Sequence, residues 1–121
     1  MKSIQATPDI PNWPKTLRDN VAIARYIDET SSDFVDTERI EDEYIGCVGV
    51  LIYVNPKNLK PGPVDSNVKS KKKQAAYSKL PWETRPPIII YNDKVVDGNH
   101  RLRDALSKNE PRILAYNVFE R

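Results

Sequence analysis

The sequence predicts an α+β fold, and three observations predict it. Apolar, β-branched runs at 44–54, 88–90, 94–96 and 112–118 read as strands. Two stretches instead follow the helical period: Leu17, Val21, Ala24 and Ile27 form one stripe, and Leu102, Ala105 and Leu106 another. Asn, Asp, Gly and Pro mark the joins between them. At 121 residues the chain is one domain, long enough for a real core but with no room for a second domain.

Pro8, Pro11 and Pro14 make the start extended, with Trp13 as an anchor on the domain surface. Thr16 with Asp19 three residues on is a capping-box variant, so a helix is expected over 15–29. Thr30-Ser31-Ser32-Asp33 ends it. Glu38, Glu41, Asp42 and Glu43 then form an acidic stretch, read either as a solvated face or as a cover over the basic half. In the strand expected over 44–54, Gly46 and Gly49 suggest a bulge or a close approach to the backbone. Cys47 within it reads as a small core residue. Pro56, Pro61, Gly62 and Pro63 mark a loop to about residue 65. A lysine-rich surface helix is expected over 68–80, and residues 82–87 lead into the isoleucine strand.

The stretch around which the rest is organised runs from residue 88 to residue 106. Ile88-Ile89-Ile90 suits a strand buried on both faces. Asn92 and Asp93 both tolerate positive φ, which predicts a two-residue hairpin. Val95-Val96 returns, Asp97-Gly98 ends the strand, and the period becomes helical from Asn99. Asn109 is the expected helix stop, and Pro111 prevents continuation. A helix N-terminus opening from the end of a strand presents backbone donors and the positive end of its dipole. Gly98 lets a ligand come close, His100 and Arg101 add donors, and Asp97 adds one carboxylate. Donors for an anion beside a carboxylate suit a phosphate. The same residues also fit a plain helix start, with Asp97 as N-cap and the others solvated.

Composition narrows the classes. No apolar run approaches the length of a membrane span, and Met1-Lys2-Ser3-Ile4-Gln5 has no signal-peptide core, so a cytoplasmic protein is expected. One cysteine excludes an internal disulfide and a cysteine-based zinc cage. One histidine argues against a transition-metal site and leaves a hard, oxygen-bound ion such as Mg2+, with Asp97 as its ligand. Residues 1–50 hold 5 Lys/Arg against 10 Asp/Glu, and residues 51–121 hold 14 against 7, giving the net +2. The half with the phosphate-like turn is the basic half. The imbalance is small for a dedicated binder of duplex DNA.

Asp97-Gly98-Asn99-His100-Arg101-Leu102, with the Ile-rich strand before it and the strand after it, resembles the ParB/sulfiredoxin-like superfamily. The hallmark of that superfamily is Gly-x-x-Arg at a helix start, commonly inside Asp-Gly-His-x-Arg. The likeness is closest over 86–118 and extends more loosely back to about Val48, where residues 50–59 resemble the family's opening strand. It implies a small mixed sheet with flanking helices over 44–121, preceded by an N-terminal helical extension over 1–43.

By that resemblance Gly98 is the glycine of the turn, Arg101 the phosphate-contacting arginine and His100 the adjacent donor. Asn99 completes the turn, and Asp97 is the acidic residue, catalytic together with His100. The family places a helix near the ligand groove, where Lys71, Lys72 and Lys73 either assist phosphate binding or form a solvated basic face. Glu83 and Arg85 are candidates for the rim. Two family activities are not expected. Sulfiredoxins carry Gly-Cys-His-Arg, and Asn99 stands where their nucleophilic cysteine belongs. Partition ParB proteins carry Gly-Glu-Arg-Arg followed by a helix-turn-helix, so centromere reading of that kind is not expected either. The resemblance then implies a small nucleotide-using enzyme with ATP, ADP or CTP as ligand. Its chemistry would be phosphoryl transfer or hydrolysis of a phosphate ester or anhydride. Two further readings remain open. One is a nucleic-acid-binding or nicking domain. The other is a non-catalytic phage- or plasmid-type protein that binds a host protein through residues 1–43.

Overall fold

The computed structural model describes residue 10 and residues 12–31, 35–61, 75–77 and 79–121. In chain order the elements are β1 (Thr16–Leu17), α1 (Asn20–Thr30), α2 (Thr37–Glu43), β2 (Cys47–Val54), β3 (Ile88–Tyr91), β4 (Lys94–Asp97), α3 (Asn99–Ser107) and β5 (Ile113–Glu120). Two 3-10 turns, Pro56–Asn58 and Trp82–Thr84, lie between β2 and β3. The strands form one mixed sheet in the order β1-β2-β5-β3-β4. β3 and β5 are parallel and the other neighbours antiparallel. The chain is thus an α+β protein, and among the described residues no helix is long and apolar enough to cross a membrane.

Side-chain alternation along the central strands explains the layering. On β3 and β5, Ile89, Leu114, Tyr116 and Val118 pack with Leu51 against Ile23, Tyr26 and Ile27 of α1. The alternate residues Ile88, Ile90, Ile113 and Ala115 pack against Leu102 and Ala105 of α3 and against Leu59. Ile88, Ile89 and Ile90 are all at most 2% exposed, as a strand covered on both faces requires. Each such side chain contributes roughly 1.5–3 kcal/mol by leaving water.

Two expected elements begin later than the sequence suggests, and β1 and α2 are additional to it. The first helix begins at Asn20, because Thr16 and Leu17 are taken by the sheet, where they pair with Val50 and Gly49. Its cap is therefore Asp19, whose carboxylate accepts from the Ala22 N–H at 2.8 Å, and not Thr16. Val21, expected on the buried stripe, is 44% exposed, and Ile23, Ala24, Tyr26 and Ile27 are the covered face. The second strand begins at Cys47, after a turn that uses Gly46 at φ +80°. Gly49 carries no bulge. The β2–β5 register is unbroken there, and Leu17 Cβ stands 3.4 Å from where a Gly49 Cβ would be.

Within the described residues, the segment before residue 44 is built into the same core. The acidic residues Glu38, Glu41, Asp42 and Glu43 lie on α2, which buries none of its residues. Asn20 Nδ2 donates to the Glu41 carbonyl at 2.9 Å and ties α2 to α1.

Candidate functional site

The hairpin and helix around residues 88–107 form as their residue types dictate. Asn92 and Asp93 both take positive φ (51° and 62°), which matches the right-handed twist of the strands they join. α3 ends with the Glu110 N–H on the Ala105 carbonyl and the Asn109 N–H on the Leu106 carbonyl, with Asn109 at φ 53°. That is the doubly bonded left-handed stop expected at Asn109.

Gly98 joins β4 to α3 at φ +102° and is itself the N-cap. A Cβ there would stand 2.5 Å from Ile88 Cγ2 and 3.0 Å from an Arg101 Nη2 nitrogen. The glycine is demanded both by its dihedral angle and by the space. No side chain caps this helix, so the reading of Asp97 as N-cap is corrected. The physical reason is that Asp97 turns instead to Arg101, one helical turn on, and accepts from Nη2 at 3.2 Å.

Arg101 is the centre of the arrangement. It is 4% exposed, with its guanidinium directly under the Gly98 turn. Nη1 donates to the Thr30 carbonyl, at the end of α1 and 71 residues away, at 3.4 Å. The Tyr77 ring covers the guanidinium at 5.4 Å, and the Tyr77 hydroxyl donates to the same Thr30 carbonyl at 3.1 Å. Arg101 Nε is buried and has no hydrogen-bond partner among the described residues. Tyr26, whose hydroxyl donates to the Pro87 carbonyl, completes this buried polar cluster. Burial pushes its hydroxyl pKa well up, and the Arg101 cation pulls the other way. Burial likewise raises Tyr77 against the same cation.

Beside Asp97 lies a pocket of about 380 Å³, between the end of α1, α2 and the edge strand β4. Ile27 and Val96 give it apolar wall, while Asp36, Arg39, Glu43 and Asp97 give it charge of both signs. The structure therefore brings Asp97, Gly98 and Arg101 together at one turn, with Asn99 and His100, both partly buried, in the first turn of α3. Arg85 is engaged elsewhere. It is buried against α3, donating to Asp104 at 2.7 Å and to the Leu80 carbonyl at 2.9 Å, with its guanidinium 3.6 Å over Trp82. Lys72 and the Glu83 side chain lie outside the described residues.

Among the described residues no group of three or more His, Cys, Asp or Glu gathers as a metal site, and Asp97 offers a single carboxylate already shared with Arg101. The α2 wall beside Val96 and Asp97 agrees with the acidic stretch as a cover over the basic half, whereas Thr30 and Tyr77 carried no signal in the sequence. Their approach to the turn depends on how distant elements pack, and no local pattern reports it. The chain matches no protein-family model, no curated protein and no solved structure.

Proposed function

We propose that this chain is a ParB/sulfiredoxin-like protein that binds the phosphate groups of a nucleotide at the β4–α3 turn. Transfer or hydrolysis of a phosphoryl group is the chemistry proposed for that turn. The observation that carries the reading is Arg101: a buried guanidinium packed against a left-handed glycine, with an N–H of its own that no acceptor among the described residues satisfies. An unsatisfied buried donor costs roughly 1–3 kcal/mol, so a site that keeps one is suited to a ligand that supplies the acceptor. A phosphate oxygen at the turn does so, and the positive end of the α3 dipole adds to the attraction.

Asp97 and Arg101 share one ion pair in the free chain. A phosphate drawing on the same guanidinium loosens Asp97, whose carboxylate is then placed to accept a proton from an attacking hydroxyl or water. Arg101, and His100 beside it, stabilise charge on the phosphate oxygens. The alternative role for Asp97, in place of proton acceptance, is to hold Mg2+: one carboxylate suits that ion when phosphates complete its shell, so it would arrive with the nucleotide and would neutralise phosphate charge there.

Thermal unfolding with ATP, ADP and CTP, each with and without Mg2+, tests this reading. Ligand at about 100 times its dissociation constant adds ~2.7 kcal/mol, a rise of several degrees in a domain of this size. No rise with any of the three at millimolar concentration contradicts it.

A further inference from the structure

A second groove, of about 400 Å³, lies between residues 12–18 and α1, on the opposite edge of the sheet from β4. Trp13, Leu17 and Tyr26 line it, with Trp13 and Tyr26 edge to face at 6.1 Å. One wall is held firmly. The Tyr116 hydroxyl donates to the Pro14 carbonyl at 2.7 Å, and the Leu51 N–H donates to the Lys15 carbonyl at 2.9 Å. Such a wall is set before any partner arrives.

Three independent features give this groove a direction. First, β1 is the end strand of the sheet, and among the described residues only β2 pairs with it and none pairs along its outer backbone edge. Secondly, the indole N–H of Trp13 is buried with no acceptor among the described residues. Thirdly, charge is reversed locally. Residues 1–50 carry 10 acidic against 5 basic residues, yet the groove holds Arg18 and Arg25 against Glu29 alone. Both arginines are exposed, and neither forms an ion pair among the described residues.

We infer that this groove docks an extended acidic segment of a partner protein, which adds as a strand along β1. An open strand edge offers directional backbone donors and acceptors that an extended polypeptide matches and a small anion does not. An apolar side chain of the segment packs against Trp13 and Tyr26, its carboxylates meet Arg18 and Arg25, and its carbonyl groups supply an acceptor for the indole. The groove shares only Tyr26 with the Arg101 cluster, and it stands whether or not a nucleotide binds at the phosphate turn.

The test is a titration of the full 15N-labelled chain with an equimolar pool of blocked hexapeptides. The pool alternates Asp or Glu with Val, Ile, Phe or Tyr. The indole resonance of Trp13 and the amides of Thr16 and Leu17 are expected to shift, while the Trp82 indole, identified with Trp82→Phe, stays in place. The Arg18→Glu, Arg25→Glu double variant is expected to weaken binding by roughly tenfold or more with an unchanged unfolding midpoint. No shift at about 1 mM pool overturns the inference. So does an equal response to a pool with Lys and Arg in the acidic positions. Nuclear Overhauser contacts from residues 1–9 to Trp13 in the free chain also overturn it, because the groove would then be filled by the chain itself.

Discussion

Gly98 tolerates no other residue. A β-carbon would meet Ile88 Cγ2 at 2.5 Å while the backbone stays at φ +102°. Left-handed strain of roughly 1–2 kcal/mol adds to overpacking of about 1–3 kcal/mol, so Gly98→Ala is expected to lose about 3 kcal/mol in urea unfolding. Asp97 next to it is a test of roles. Were it an N-cap, Asp97→Asn would leave stability unchanged, because Asn caps as well as Asp. Since Asp97 holds Arg101 instead, Asp97→Asn should lose about 1–2 kcal/mol and Asp97→Ala about 3 kcal/mol, measured the same way. On the phosphoryl-transfer reading neither variant turns over nucleotide, since neither an amide nor a methyl group can take the proton. Full nucleotide turnover by Asp97→Asn would remove Asp97 from the chemistry.

At the scale of elements, those whose signals are local were the ones sequence could read. Ile88–Ile90, the Asn92-Asp93 turn, the start of α3 and the Asn109 stop all depend on neighbours within a few residues, and all formed where the residue types required. The Thr16–Leu17 strand is the counter-example. Two residues carry no periodicity, and β2, more than thirty residues away, decides their state. The tyrosines packed between α1 and the sheet set the behaviour of that layer in alkali. Burial pushes Tyr44 up to about 12, and Tyr26 and Tyr116 also upward. The folded state therefore keeps its phenolic protons at pH values where the unfolded chain, near 10, loses them. This contribution is whole below pH 10 and is lost as pH rises towards 12 and beyond. The unfolding midpoint should fall steeply above pH 10, and Tyr44→Phe should make the fall shallower. An equal slope in Tyr44→Phe would show that Tyr44 is not a source of the effect.

For the whole molecule, the basic half carries the turn and the acidic half closes around it. Thr30 at the end of α1 and the α2 wall stand beside residues that the sequence places far downstream. Gly98, Arg101 and Asp97 were legible because they crowd into one motif. The partners that fix Arg101 were not, because the packing of distant segments brings the end of α1 and residue 77 to it. Nuclear magnetic resonance of the Arg101 Nε–H during nucleotide titration reads whether a phosphate group meets Arg101 at this turn. In the free chain that proton has no acceptor among the described residues. Phosphate contact at Arg101 is expected to move its resonance downfield with ATP, ADP or CTP, together with the amides from Gly98 to Arg101, and Gly98→Ala to abolish the change. A nucleotide that binds while the Arg101 Nε–H and these amides stay where they were would contradict that contact.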